Sequence, residues 1–171
     1  FQIRGFFPYG SDERQFNSPG INLPIGVFMR TPYYEFKEYH TADDNLKSVK
    51  KHALNDSLVM LCKIISKLED EKIIDKNIQK EKIRKSKSHI YLNLNPKCEP
   101  QLGRRKLYRD ISKSRLVDKN DSQNLIELSI CWMLNFSDGY HSLNDISKKS
   151  SLSLKLLKQA SKLLIEKNLL K

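Results

Sequence analysis

The sequence predicts an α/β portion followed by a small all-α domain. Three observations carry this. Ile21-Asn22-Leu23-Pro24-Ile25-Gly26-Val27-Phe28-Met29 is a short apolar run between turn signals, as in a core strand. From about Leu54 to Glu71, Leu54, Leu58, Leu61, Ile65 and Leu68 recur at three- and four-residue spacings, with Met60 and Ile64 widening the stripe. After residue 120, three short helical patterns follow one another across tight turns.

Taken in order, the aromatic start Ile3 to Phe7 suits a strand that runs into the loop Ser11-Asp12-Glu13-Arg14-Gln15-Phe16, and Asn17-Ser18-Pro19-Gly20 reads as a turn. The run 21–29 leads into the aromatic loop Arg30-Thr31-Pro32-Tyr33-Tyr34-Glu35-Phe36-Lys37-Glu38, and then to Tyr39-His40-Thr41-Ala42-Asp43-Asp44-Asn45-Leu46. Asp43 or Asp44 suits the N-cap of a short helix through Val49. The helix of residues 54–71 is expected to cover one face of the sheet. Residues 72–88 form a lysine-rich insertion, a solvated excursion or a polyanion-binding patch. His89 to Asn95 alternates apolar and polar residues before Pro96, Cys98 to Arg105 reads as a loop, and Lys106 to Lys119 as a linker. The division is therefore 1–119 and 120–171. In the second domain Ser122 or Asp121 caps a helix through about Asn135, Ser142 caps a second, a third runs from about Leu154 to Lys167, and Leu169-Leu170 suits a short strand.

Composition narrows the function classes. Charged residues make up 30% and hydrophobic residues 39% of 171, an ordinary globular balance. No apolar run approaches the roughly 20 residues that cross a bilayer, so no membrane partner is expected. The three cysteines, Cys62, Cys98 and Cys131, are widely spaced without a C-x-x-C pair, which points to a reducing cytoplasm. Cys62 and Cys131 lie in helical apolar patterns and read as buried small hydrophobes. The net charge of +11 is uneven, since residues 1–45 are slightly acidic and the excess lies between Lys47 and Lys119. The common nucleotide-binding, zincin and hydrolase motifs do not occur.

A single histidine between an aromatic residue and a threonine, followed by acids, is how a chain can deliver one imidazole to a metal. In company, the motif is more specific. Ser11-Asp12, Gly20-Ile21-x-x-Pro24 and Tyr39-His40-Thr41-x-x-Asp44-Asn45-Leu46 resemble the end of the catalytic domain of zinc aminopeptidases, a clan that includes the glutaminyl cyclases. Gly10 to Gln15, Met29-Arg30-Thr31-Pro32, and Asn93-Leu94-Asn95-Pro96 through Pro100-Gln101-Leu102-Gly103 resemble a bacterial aminopeptidase-like family that carries a C-terminal winged-helix domain. The resemblance implies a zinc-aminopeptidase-like sheet-and-helix domain, here its C-terminal portion, followed by a winged-helix-like domain.

On that resemblance, His40 matches the last zinc ligand and Asp12 a pocket aspartate that assists proton transfer or substrate orientation. Glu13 stands where relatives often carry histidine, which bears on substrate class. Arg14 and Arg30 are candidates for holding a substrate carboxylate by bidentate bonds, and Tyr39 for donating to an oxyanion. The implied chemistry is metal-assisted hydrolysis of a peptide or amide bond. The family's other zinc ligands and its general-base glutamate precede Ser11, so the chain is expected to be the C-terminal portion of a longer enzyme, inactive without the N-terminal half. Homo-oligomers are open. Two other classes stand beside this one: a DNA-binding or assembly module, with Lys155, Lys158, Lys162 and Gln159 on the last helix, and an aminopeptidase-like scaffold without activity.

Overall fold

A computed structural model describes residues 2–8, 12–32, 35–70, 89–108 and 122–171. The lysine-rich insertion 72–88, most of the linker, the caps expected at Asp121 and Ser122, and Gly10-Ser11 of the N-terminal motif fall outside what is described. The chain divides into two compact units, one built from residues 1–27 and 84–171, the other from 28–83.

The first unit is organised on α3 (Ser122–Phe136). Residues 129–134 of α3 are buried all round, as expected of a helix covered on every side rather than along one stripe. One side packs on α5 (Leu154–Glu166), which in turn packs on α4 (Leu143–Ser150). Met133, Ile130, Ile146, Leu157, Ala160, Leu164 and Leu169 make the centre of this core. The other side is covered from the N-terminal segment, where Phe6 meets Trp132 and Phe136 edge-on, at ring distances of 5.8 and 5.6 Å. Ile3 to Phe7 forms no strand; its aromatic residues serve as a cover instead.

The turns between these helices follow from their residues. Ser142 accepts from the Asp145 amide while the Asp145 carboxylate accepts from the Ser142 amide, a complete capping box that starts α4. Ser153 caps α5 by accepting from the Leu156 amide. Between α3 and α4, where the sequence pattern announces no strand, the chain forms β2 (Asp138–Ser142), and Gly139 takes the left-handed φ of 84° that such a turn requires.

β2 pairs antiparallel with β1 (Ile90–Leu92), Ile90 opposite Ser142 and Leu92 opposite Asp138, with an irregular register between. The far edge of β1 is taken by the C-terminal residues: Leu92 and Lys171 exchange both backbone hydrogen bonds, at 2.8 and 3.1 Å, and Leu94 donates to Leu169 at 2.9 Å. β1 is thus the central strand of a small sheet. Asn93 clamps it to α3, donating from its side chain to Leu134 O at 2.8 Å and from its amide to Ser137 O at 2.7 Å. The C-terminal domain is therefore helices plus a small sheet rather than purely α, and residues on both sides of position 119 contribute to its unit.

The second unit holds α2 (Lys51–Leu68), which has no buried residue and no side-chain N-cap. The helix expected from Asp43 or Asp44 to Val49 is a series of turns, in which the Asn45 side chain accepts from the Lys47 amide at 3.0 Å. Asn45, with the amide two residues on in reach, takes the local bond that leaves both aspartates uncapped. The expected core strand 21–29, most of which belongs to the first unit, is not a strand: Asn22 takes a left-handed φ of 54°, Ile25 donates to Leu23 O at 2.9 Å, and Leu23, Ile25 and Val27 are 46%, 39% and 45% accessible. Pro24 removes one ladder donor, and no strand among the described residues supplies a partner.

Candidate functional site

Two candidate sites hold the residues that the sequence singles out, one in each unit. In the first unit, Asp12, Glu13 and Arg14 lie together on α1 (Asp12–Phe16). Asp12 is exposed, and Glu13 is half-buried with its carbonyl taken by Asn17. Arg14 turns inward. One Nη donates to Glu99 Oε2 at 2.5 Å, and the other to the Tyr108 hydroxyl and, at 3.2 Å, to Cys131 Sγ. Nε is buried with no partner among the described residues.

The backbone around this ion pair is fitted to it. Gln15 accepts from the Glu99 amide at 2.6 Å, Ser18 from the Cys98 amide at 3.0 Å, and the Gly20 amide donates to Pro96 O at 2.7 Å. A Cβ on Gly20 would stand 3.0 Å from the Pro96 carbonyl, so only glycine lets the two segments approach this closely. The stretches Asp12–Gly20 and Asn93–Gly103, distant in sequence and both part of the resemblance, are thus joined in space.

Burial pushes the Cys131 thiol up, with the Arg14 charge opposing only in part. Burial, then Cys131, pushes the Tyr108 phenol up as well. Arg14 is desolvated too, but Cys131, Tyr108 and Glu99 more than offset that and hold its charge. Near neutral pH the cluster is therefore one ion pair, Arg14 with Glu99, flanked by a neutral thiol and a neutral phenol. A protonated buried thiol is a poor nucleophile. The cavity beside the cluster measures about 10 Å³, the size of a single water and far below the roughly 300 Å³ of a small-molecule pocket. Both Nη atoms are engaged, so a bidentate grip on a substrate carboxylate requires release of Glu99.

In the second unit, His40 follows Tyr39 at a left-handed φ of 57° and is exposed, its ring edge-on to Tyr39 at 4.2 Å. Tyr39 in turn meets Phe36 at 5.4 Å. Thr41 donates its hydroxyl to Glu38 O and accepts from the Asp43 amide, which fixes the turn after the imidazole. Arg30 lies against α2, donating to Ala53 O at 3.0 Å with Asp56 3.8 Å away, and is half exposed. Among the described residues no three His, Cys, Asp or Glu side chains gather as a metal-binding group.

Sequence reasoning missed Glu99, Tyr108 and Cys131 as a group. The available signal was Glu99 between Pro96 and Pro100, within a stretch already tied to the α1 loop by resemblance. Cys131 is buried as expected, whereas Cys62 is exposed because the α2 stripe beside it is uncovered. On α5, Lys155, Lys158, Gln159 and Lys162 are all exposed and share one side of the helix.

Comparison with known proteins adds three findings. Residues 1–71 match the family described as Domain of unknown function (DUF4910), and residues 89–171 match the family described as winged helix-turn-helix. The chain is 40% identical over 171 residues to a Clostridium acetobutylicum protein named, provisionally, polysaccharide biosynthesis protein with aminopeptidase-like domain. It spans 34% of that relative's length. No solved structure matches.

Proposed function

We propose that this chain is the C-terminal portion of a zinc-dependent, aminopeptidase-like hydrolase acting on peptide or amide bonds, joined to a winged-helix module. The observation that supports it is 40% identity along all 171 residues to a protein named for an aminopeptidase-like domain. His40 is assigned to the metal, Asp12 to the pocket wall, and Glu13, Arg14, Arg30 and Tyr39 to the substrate. A zinc site takes about three protein ligands. His40 is exposed and has no such company among the described residues. These residues do not by themselves fit a zinc ion, and the remaining donors and the base belong outside them. The three free thiols accord with a cytoplasmic setting.

The test uses a polypeptide in which this chain is joined to the rest of an aminopeptidase-like domain. Zinc content and hydrolysis are measured on aminoacyl anilides and, because the relative is named for polysaccharide biosynthesis, on an N-acylated amino sugar. His40→Ala is expected to lower both zinc content and turnover. Unchanged metal content removes the ligand role. Bound zinc without hydrolysis of any substrate favours an inactive scaffold.

A second reading has its own observation. The exposed lysines and Gln159 on α5 form the face that a DNA reader would present. Three phosphate contacts would give a log–log salt slope of about −2.7 for duplex binding. Binding with that slope, lost on Lys155→Glu with Lys158→Glu, would establish the DNA reader. Its absence leaves the module to assembly.

A further inference from the structure

α1 carries Asp12 on a single helical turn of five residues, none of them buried. Isolated helices shorter than about 12 residues are marginal in water, and no apolar face anchors this one. Phe16, its one large apolar residue, is 41% accessible. The bonds that fix α1 are therefore polar. Arg14 donates to the Glu99 carboxylate at 2.5 Å, and Gln15 accepts from the Glu99 amide at 2.6 Å. Just past the helix, Ser18 and Gly20 are tied to Cys98 and Pro96.

Glu99 is itself held. Its Oε1 accepts from the Leu102 amide at 3.1 Å, and the Leu102 side chain is 1% accessible and part of the core. One carboxylate oxygen thus faces a core segment and the other faces Arg14. The second Nη of Arg14 meets Tyr108 and, on α3, Cys131. An unbroken path runs from the core through Leu102 and Glu99 to Arg14, and along one turn to Asp12.

The two ends of this path lie in different parts of the sequence. α1 falls within the match at residues 1–71, whereas Glu99, Leu102, Tyr108 and Cys131 fall within the winged helix-turn-helix match. The pair is also costly to open. The Arg14 and Glu99 side chains are 15% and 22% accessible, and removing either partner leaves a charge in a part-buried place. The cavity of about 10 Å³ beside them admits one water. A ligand carboxylate could replace Glu99 only by prising the two segments apart.

We propose that Glu99 is a positioning residue: acting through Arg14, it sets α1 and with it Asp12, so that the part of the chain matched to the winged-helix family is the mount of the pocket loop. The inference rests on the aminopeptidase-like reading for what Asp12 does. It deepens that reading by moving Arg14 from gripping the substrate to holding the loop.

Amide hydrogen exchange in the 171-residue chain tests the mount without zinc or substrate. The Asn17 and Gly20 amides donate to Glu13 O and Pro96 O. In Glu99→Ala they are expected to exchange at least about tenfold faster than in the parent, while the amides of α5 keep their rates. Glu99→Gln keeps a neutral acceptor for Arg14 and should loosen the same amides to a smaller degree, which serves where the alanine variant does not fold. Unchanged rates at Asn17 and Gly20 overturn the proposal. So does an equal rise across α5, which assigns Glu99 to general stability. In the joined polypeptide, kcat on the aminoacyl anilides should fall at least about tenfold in Glu99→Ala, with zinc content and KM unchanged. Glu99→Ala added to Asp12→Asn should cost nothing further, because the two residues act along one path. A raised KM with kcat intact returns Arg14 to the substrate and overturns the proposal, as do additive losses. A parent polypeptide that hydrolyses nothing removes the hydrolase reading alone, and the exchange rates then decide the mount of α1.

Discussion

α2 and α3 are the two longest helices among the described residues, and they have opposite fates. α3 is surrounded: α5 on one side, Phe6 on another, Arg14 and Tyr108 against Cys131. α2 buries nothing. Their sequences already differ in kind. α3 is apolar around its circumference from Ile130 to Leu134, whereas α2 confines its leucines to one stripe and sets charges opposite. The first pattern demands cover on all sides, and this chain provides it from segments far apart in sequence. The second demands a single floor, which the described residues do not provide. Amphipathicity alone thus says that a helix needs a partner, not that the partner lies in the same stretch of chain.

Substitutions can break or sharpen that contrast. The largest effect is expected at Leu164, fully buried against α3: Leu164→Ala should cost about 2–5 kcal/mol in chemical denaturation. Arg14→Met, which strands Glu99 in a part-buried site and unfastens α1, should cost about 2 kcal/mol by the same measurement. Asp145→Ala removes the carboxylate half of the capping box and should cost about 1 kcal/mol. At the bottom of the scale, Leu58→Ala on α2 should stay within about 0.5 kcal/mol in the isolated chain. A cost above 2 kcal/mol there, measured by urea midpoint, would mean that the stripe is covered in solution after all.

Acid offers a further test of the first unit alone. At Asp138 burial opposes ionisation, but hydrogen bonds from the His141 side chain and from the His141 and Tyr140 amides outweigh it and hold the carboxyl below its usual value. The Ser142 hydroxyl and amide do the same for Asp145. A carboxyl depressed in the folded state lends stability in full above its unfolded pKa of about 4 and loses it as pH falls through the lower folded value. Stability measured from pH 6 to pH 2 should therefore fall less steeply in the Asp138→Asn, Asp145→Asn double variant than in the parent.

The helical part was legible because its signals are local. Ser142 announces its helix, and the leucine spacing of residues 154–164 gives the buried face of the next; the Ser153 cap went unread. The alternation of His89 to Asn95 was legible and β1 (Ile90–Leu92) lies within it, but its place in the sheet was not, because neither partner is near in sequence. The run 21–29 has the composition of a core strand, and composition carries no information about whether the neighbouring strand is present. At the site, His40 stood out by its neighbours and Arg14 by its loop. The carboxylate that holds Arg14 was missed because Glu99 sits 85 positions away, and only three-dimensional packing selects it from the other acids.

The middle place of β1 in its sheet also bears on how the molecule is made. Both strands that flank Ile90–Leu92 come later in the chain, one of them at Leu169–Lys171. At translation rates of roughly 5–20 residues per second, β1 leaves the ribosome several seconds before its second neighbour exists. During that interval it is a hydrophobic ribbon with a bare edge, open to pairing with other nascent chains. Slowing synthesis across the last helix should therefore lower the soluble yield.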